Sequence, residues 1–248
     1  MFIHHLFGYA VLGAVFGSFL NVCMFRLPRG LSPYRGRSQC PYCHHQLQVL
    51  DLIPLVSWLI LKGRCRYCHH PISIRYPLME LFHSTLWVVV CLMFEPSLFT
   101  MMICIFLSLL MYISIYDWDY MQIPLSAFIA LCICGTLLWI YTKTSFISSL
   151  GSAIIISLPL WMIGHFFPNS IGEGDICLLA LAGFMLGFPG VLIAFLIGCL
   201  SALIHALPQV WQHHYGFKTA LPMIPFFSLG IGIMLLFGSP ILHWYLQL

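Results

Sequence analysis

The residues of this chain that could do chemistry are few, and their spacing is informative. Asp117 and Asp119 stand in YDWDYMQIP, and Glu173 and Asp175 in IGEGDICLL, both flanked by apolar runs. Carboxylates set near lipid are costly and rarely idle. Two carboxylates within hydrogen-bond distance share a proton and titrate as a unit. One then serves as base toward water and the other as acid toward a carbonyl, which is aspartic protease chemistry. The same acids could serve a proton or ion relay in a transporter. Asp175 could also simply cap a helix N-terminus. Neither an HExxH helix nor a GxSxG elbow occurs, so no competing catalytic constellation is visible.

The third group is CPYC, 21 residues, then CRYC, that is Cys40, Cys43, Cys65 and Cys68. Each CxxC forms a knuckle presenting two sulfurs to one ion, and four thiolates make a closed tetrahedral site of the structural zinc kind. Arg64 and Arg66 beside the second knuckle favour thiolates. Two disulfides would need an oxidising compartment. His44, His45, His69 and His70 could replace a ligand, but the cysteine set is already complete. About fifty residues with few large apolar groups would hardly hold together without a metal. The other seven of the 11 cysteines lie in apolar runs and read as small hydrophobes.

These groups must be positioned by a membrane protein. The chain of 248 residues is 61% apolar and 7% charged, against roughly 25% charged in soluble domains. Hydropathy predicts an all-α polytopic protein with about eight transmembrane helices, at about 5–25, 78–94, 97–116, 124–142, 146–167, 175–188, 190–208 and 221–247. The break between the sixth and seventh falls at Gly187-Phe188-Pro189-Gly190, a turn signal. The expected organisation is a first helix over 1–27, a small four-cysteine segment over 28–77 and a transmembrane core over 78–248. No low-complexity tract or internal repeat stands out. The N-terminal apolar run lacks a signal-peptide cleavage site and is taken as a span. Nothing points to nucleic acid as a partner.

Eight of the ten Lys and Arg lie between Arg26 and Arg75. The positive-inside rule therefore places that segment in the cytoplasm and the N-terminus outside. Counting spans brings Asp117 and the Gly-rich loop at 168–175 to the same cytoplasmic face. Lys218 falls inside, and Lys143 outside as an exception. Glu95 falls in a short outer loop. Two acidic clusters about 55 residues apart in sequence thus reach one depth by hydropathy alone.

With these residues in view, the chain resembles the type IV prepilin peptidases of bacteria nearly end to end. GSFLNVCMFRLPRG (17–30), CPYC…CRYC, SIRYPLMEL, YDWDYMQIP and GEGD each resemble a family motif. GEGD is similar to the GxGD motif of intramembrane aspartyl proteases. The resemblance implies Asp117, seven residues before Pro124, and Asp175 as catalytic acids, with the four cysteines as zinc ligands. It implies cleavage of the basic leader from prepilins or pseudopilins after a glycine, at the cytoplasmic side of the inner membrane. It also implies N-methylation of the new N-terminus from S-adenosylmethionine, although no Gly-rich fingerprint for that cofactor occurs and Glu80 with the four-cysteine segment would have to contribute. The chain departs from the motifs at Cys177, Leu125 and Ile224. A proton- or ion-coupled transporter on the same acids, and a non-catalytic assembly factor, are the other expectations.

Overall fold

The computed structural model describes residues 2–142, 144–167, 170–211 and 220–246. Lys143 and Lys218, used above for orientation, lie outside the described residues, as do residues 168 and 169 of the Gly-rich loop. The elements are α1 (Phe2–Arg26), α2 (Val56–Ile60), α3 (Arg75–Met93), α4 (Leu98–Tyr120), α5 (Leu125–Thr142), α6 (Phe146–Phe166), α7 (Glu173–Trp211) and α8 (Ile224–Leu246), with short 3-10 turns at Leu27–Arg29 and Val49–Leu52. Among the described residues there is no strand, only isolated bridges within the four-cysteine segment.

Seven of these helices are long and apolar enough to cross a membrane. The sequence suggested about eight, and the difference lies in α7. Its 39 residues would reach about 58 Å at 1.5 Å per residue, nearly twice a bilayer's hydrocarbon thickness. Gly187 interrupts it with φ 74 and ψ 173, a conformation open to glycine and little else. Pro189 then stands in the first turn of the second piece, where its missing N–H is harmless. The break between the two pieces, 173–186 and 188–211, falls at the GFPG turn, where two separate runs were expected, but α7 counts as one candidate span.

The chain divides into two compact units, Met1–Cys104 and Ile105–Leu248. In the first, α1 packs on α3 through glycines. A Cβ on Gly13 would meet the His83 carbonyl oxygen at 2.6 Å, and one on Gly17 the Met79 carbonyl oxygen at 2.9 Å. Lipid tails are as apolar as leucine, so close backbone approach rather than hydrophobic burial drives such pairing. Trp87 is buried beneath Tyr9 and Phe16, its ring 6.4 and 5.7 Å from theirs.

In the second unit α7 takes the central place. Its Gly183 lies against the Ser152 carbonyl of α6, where a Cβ would come within 2.8 Å. Its Gly198 faces the Phe226 carbonyl of α8, and Gly230 of α8 abuts the Ala194 carbonyl of α7. Outward, α6 exposes Ile154, Ile155, Leu158, Trp161 and Ile163, the kind of apolar face that lipid covers.

Candidate active site and metal centre

Both acidic clusters fall at helix ends within the second unit. Asp117 lies in the last turn of α4. That helix stops because Met121 takes a left-handed conformation (φ 51) and its N–H donates to the Asp117 carbonyl oxygen at 2.7 Å, the usual way of satisfying a terminal carbonyl. Asp175 lies in the first turn of α7, where the Asp175 and Ile176 N–H groups both reach the Gly172 carbonyl oxygen. A carboxylate there also favours the positive end of the helix dipole.

Three helix termini supply the surroundings. The Asp117 carboxylate interacts with the backbone N–H of Ile224, the first residue of α8. The negative charge of Asp117 is felt at Asp175. Asp117 is 7% exposed, and its Oδ2 is buried with no hydrogen-bond partner among the described residues. A buried carboxylate oxygen left without a donor is costly and is the atom on which a proton or a water would be held. Asp119 and Glu173, the other members of each cluster, are exposed.

The glycines of GEGD provide clearance, but this clearance is filled from within the chain. A Cβ on Gly172 would come within 3.0 Å of Asp175 Oδ2, and one on Gly174 within 2.5 Å of Ile123 Cδ1. Gly172 therefore leaves room for the acid itself, and Gly174 lets the α4–α5 connection approach α7. The departures at Leu125 and Cys177 leave exposed side chains. Ile224 meets Asp117 through its backbone, so its side-chain identity is of little consequence to that contact.

One group was not foreseen. Trp118, next to Asp117, sits edge-on to His205 of α7 at 5.2 Å and to Phe226 of α8 at 6.3 Å. His205 Nε2 lies 2.9 Å from Gln209 Nε2. The available signal was a His and a Gln one helical turn apart inside an apolar run.

The four cysteines of the first unit come together. Their Sγ atoms all lie within 4.8 Å of one another, close to the ~3.8 Å edge of a tetrahedron with zinc–sulfur bonds of about 2.3 Å. All the cysteines are free, and no two of the four are joined as a disulfide. Each knuckle is closed identically: Cys40 N–H to the His45 carbonyl and His44 N–H back to Cys40, then Cys65 N–H to His70 and His69 N–H back to Cys65. His44 and His69 are both left-handed, at φ 55 and 56. The knuckles stack on one another, Tyr42 on His70 at 3.3 Å and Tyr67 on His45 at 3.6 Å, which gives the flanking histidines a packing role. CxYCHH is in fact a repeat, at 40–45 and 65–70, too short to stand out among longer apolar runs. Burial pushes the Cys40 thiol up, but the N–H groups of Cys43 and Tyr42 and neighbouring thiols outweigh it and hold it at about 7. At Cys68 the His70 N–H favours the thiolate, yet desolvation and the other three thiols push it up to about 12. A cation at the centre would replace the shared protons.

The bacterial peptidase A24 N-terminal domain model matches residues 11–94, and the type IV leader peptidase family model matches residues 104–207. A prepilin leader peptidase/N-methyltransferase of Aeromonas hydrophila is 32% identical, over 93% of this chain and 90% of that protein. The chain belongs to the type IV leader peptidase family. A relative of the same name from Bacillus subtilis is 31% identical over 96% of both chains, and one from Burkholderia pseudomallei 31% over 93% and 84%. No solved structure matches. Membership in this peptidase family overturns the transporter alternative, since relatives covering nearly the whole chain are named as processing enzymes.

Proposed function

We propose that the chain is an aspartyl endopeptidase of the bacterial inner membrane that removes the basic leader from prepilins or pseudopilins, with Asp117 and Asp175 as its acid–base pair. The observation that supports this reading is the buried Asp117 carboxylate, which has an oxygen unpartnered among the described residues and whose charge is felt at Asp175 in the first turn of α7. In the resting pair one carboxyl holds a proton and the other is ionised. The ionised group takes a proton from water as its oxygen attacks the scissile carbonyl, and the protonated group donates to the carbonyl oxygen. Collapse of the tetrahedral intermediate returns a proton to the leaving amine and restores the pair.

A prepilin carries its scissile bond between a cationic leader and an apolar helix, so the acids must lie at the cytoplasmic interface. The predicted orientation, N-terminus outside and four-cysteine segment in the cytoplasm, supplies this. Cys40, Cys43, Cys65 and Cys68 would hold a structural zinc, a charge-neutralising centre with no open position. The relatives' names support a second activity, N-methylation of the cleaved product from S-adenosylmethionine. Whether the products serve pili, secretion or both is a matter of which pilins share the cell.

The test is leader removal from a co-expressed prepilin, scored by mass spectrometry, with Asp117→Asn and Asp175→Asn made separately. Each is expected to lose about 10³-fold or more, the scale of general acid–base catalysis. Wild-type turnover by either variant would falsify the assignment.

A further inference from the structure

Residues 49–61 read VLDLIPLVSWLIL, an apolar run with one charge, inside the stretch that holds eight of the ten Lys and Arg. A run of roughly 10–14 apolar residues is too short to span a bilayer and forms either a buried core helix or an interfacial segment. The structure decides against the first. Val49, Leu50, Ile53, Val56, Leu59 and Ile60 are 39–81% exposed, and contiguous apolar faces of this kind mark contact with a partner or a membrane. We propose that this face inserts into the headgroup–acyl boundary of the leaflet at this end of α1 and α3, with Lys62 and Arg64 against the phosphates of anionic lipids. The four-cysteine segment is then anchored in the bilayer surface rather than suspended in water. The inference needs only that α1 and α3 cross a membrane, and goes beyond the peptidase reading without resting on it.

Three observations carry it. First, the run is two-sided. Leu52, Ser57, Trp58 and Leu61 turn inward, toward the ends of α1 and α3. The Asp51 side chain is 3% exposed and held by Arg66, so the outward face carries no charge. Second, its depth is fixed. Leu55 N–H donates to Glu80 Oε2 at 2.7 Å. A tight γ-turn aims that N–H: Leu55 holds φ 63 and ψ −50, and Val56 N–H closes on the Pro54 carbonyl at 2.6 Å. Glu80 stands five residues past Arg75, the first residue of α3, or about 7.5 Å along its axis. Leu78, Leu81 and Phe82 beside it are exposed, as residues facing lipid are, so the docked segment is level with them. Interfacial helices sink to a similar depth of about 5–10 Å. Third, the border is basic. Lys62 and Arg64 follow the run directly and are exposed. At the end of α1, Arg29 lies over the half-exposed Phe25 ring at 4.0 Å.

An uncharged apolar face with cations along one border is what an anionic bilayer surface accepts. The side chains leave water for the acyl boundary, and lysine and arginine donate to headgroup phosphates. A second copy of the chain fits less well. A two-fold contact buries one patch against itself and gathers its basic border at the same interface with no acid to answer it. The apolar face is also continuous with the lipid-facing side of α3, through the bond that ties Leu55 to Glu80.

The experiment uses the full chain in nanodiscs of phosphatidylethanolamine and phosphatidylglycerol. Photoactivatable benzoylphenylalanine replaces Leu59 or Ile60, one at a time, and Leu81 of α3 sets the reference for a lipid-facing position. Mass spectrometry is expected to find phospholipid adducts at 59 and 60 as at 81. Adducts to a second copy, adducts to residues 105–248, or none at 59 and 60 overturn the proposal. Independently, on the wild-type chain, amide exchange over residues 53–61 is expected to be about tenfold slower in discs containing phosphatidylglycerol than in discs of phosphatidylcholine alone. Lys62→Gln with Arg64→Gln, both exposed positions, should bring the two lipids within about twofold of each other. Wild-type exchange that is equal in both lipids, or a double variant that keeps the full difference, overturns the headgroup contact. Neither readout uses cleavage, so failure here and failure of the peptidase reading are separate results.

Discussion

At the scale of single residues, the four acids of the two motifs separate by burial. Asp119 and Glu173 are exposed while Asp117 is buried. Asp119→Asn and Glu173→Gln are therefore expected to keep leader cleavage within about threefold of wild type, the range of surface changes, in the same mass-spectrometric assay that scores the aspartate variants. Asp51 is a structural acid. Burial works against its charge, but Arg66, 2.7 Å away, and the Gln48 N–H hold its carboxyl below the ordinary carboxylate range. A depressed carboxylate contributes fully above its ordinary value of about 4 and loses that contribution only as pH falls through the depressed one. Asp51→Asn should thus lower the thermal midpoint of unfolding by the same amount at pH 6 and pH 8. A penalty that changes across that interval would contradict the pairing. The approach of Asp117 to Asp175 was legible in the sequence because span counting brought both to one face. The Asp51–Arg66 pair was not, since its members stand 15 positions apart on either side of the short α2 and no periodicity reports such a closure.

At the scale of elements, the apolar runs marked the helices well, because a bilayer demands long uninterrupted segments. The count differed only in α7, where the non-helical Gly187 interrupts the helix. Which helices pair was not legible, since apolar periodicity carries no contrast when lipid and protein interior are alike. Glycine placement decides it. Gly230 abuts the Ala194 backbone, whereas a Cβ on Gly151 of α6 meets nothing within 4 Å. Gly230→Val should cost about 3 kcal/mol through overpacking against an immovable backbone. Gly151→Ala should be neutral or stabilising by about 0.5–1 kcal/mol, from helix entropy. Unfolding of both variants in the same detergent checks the pair. Equal effects would mean that α7 and α8 do not depend on this contact.

At the scale of the whole molecule, the acids and the cysteine quartet belong to different compact units. Metal removal should therefore act locally. Hydrogen exchange after chelation is expected to rise sharply across residues 38–72, which few apolar contacts support, while α4 to α8 keep their protection. Exchange that rises equally in α7 would refute independent stabilisation. The two knuckles carry one more consequence. Tyr42 on His70 and Tyr67 on His45 are the same contact made in each direction between two copies of CxYCHH, so the pair of knuckles is self-complementary. Only the variable position breaks it, Pro41 in one copy and Arg66 in the other. A chain with the two hexapeptides exchanged, Pro41→Arg with Arg66→Pro, should then bind cobalt with an unchanged tetrahedral thiolate spectrum. It should lose no more than the Asp51–Arg66 pair contributes, because the two knuckles would present equivalent sulfurs to a metal held between them.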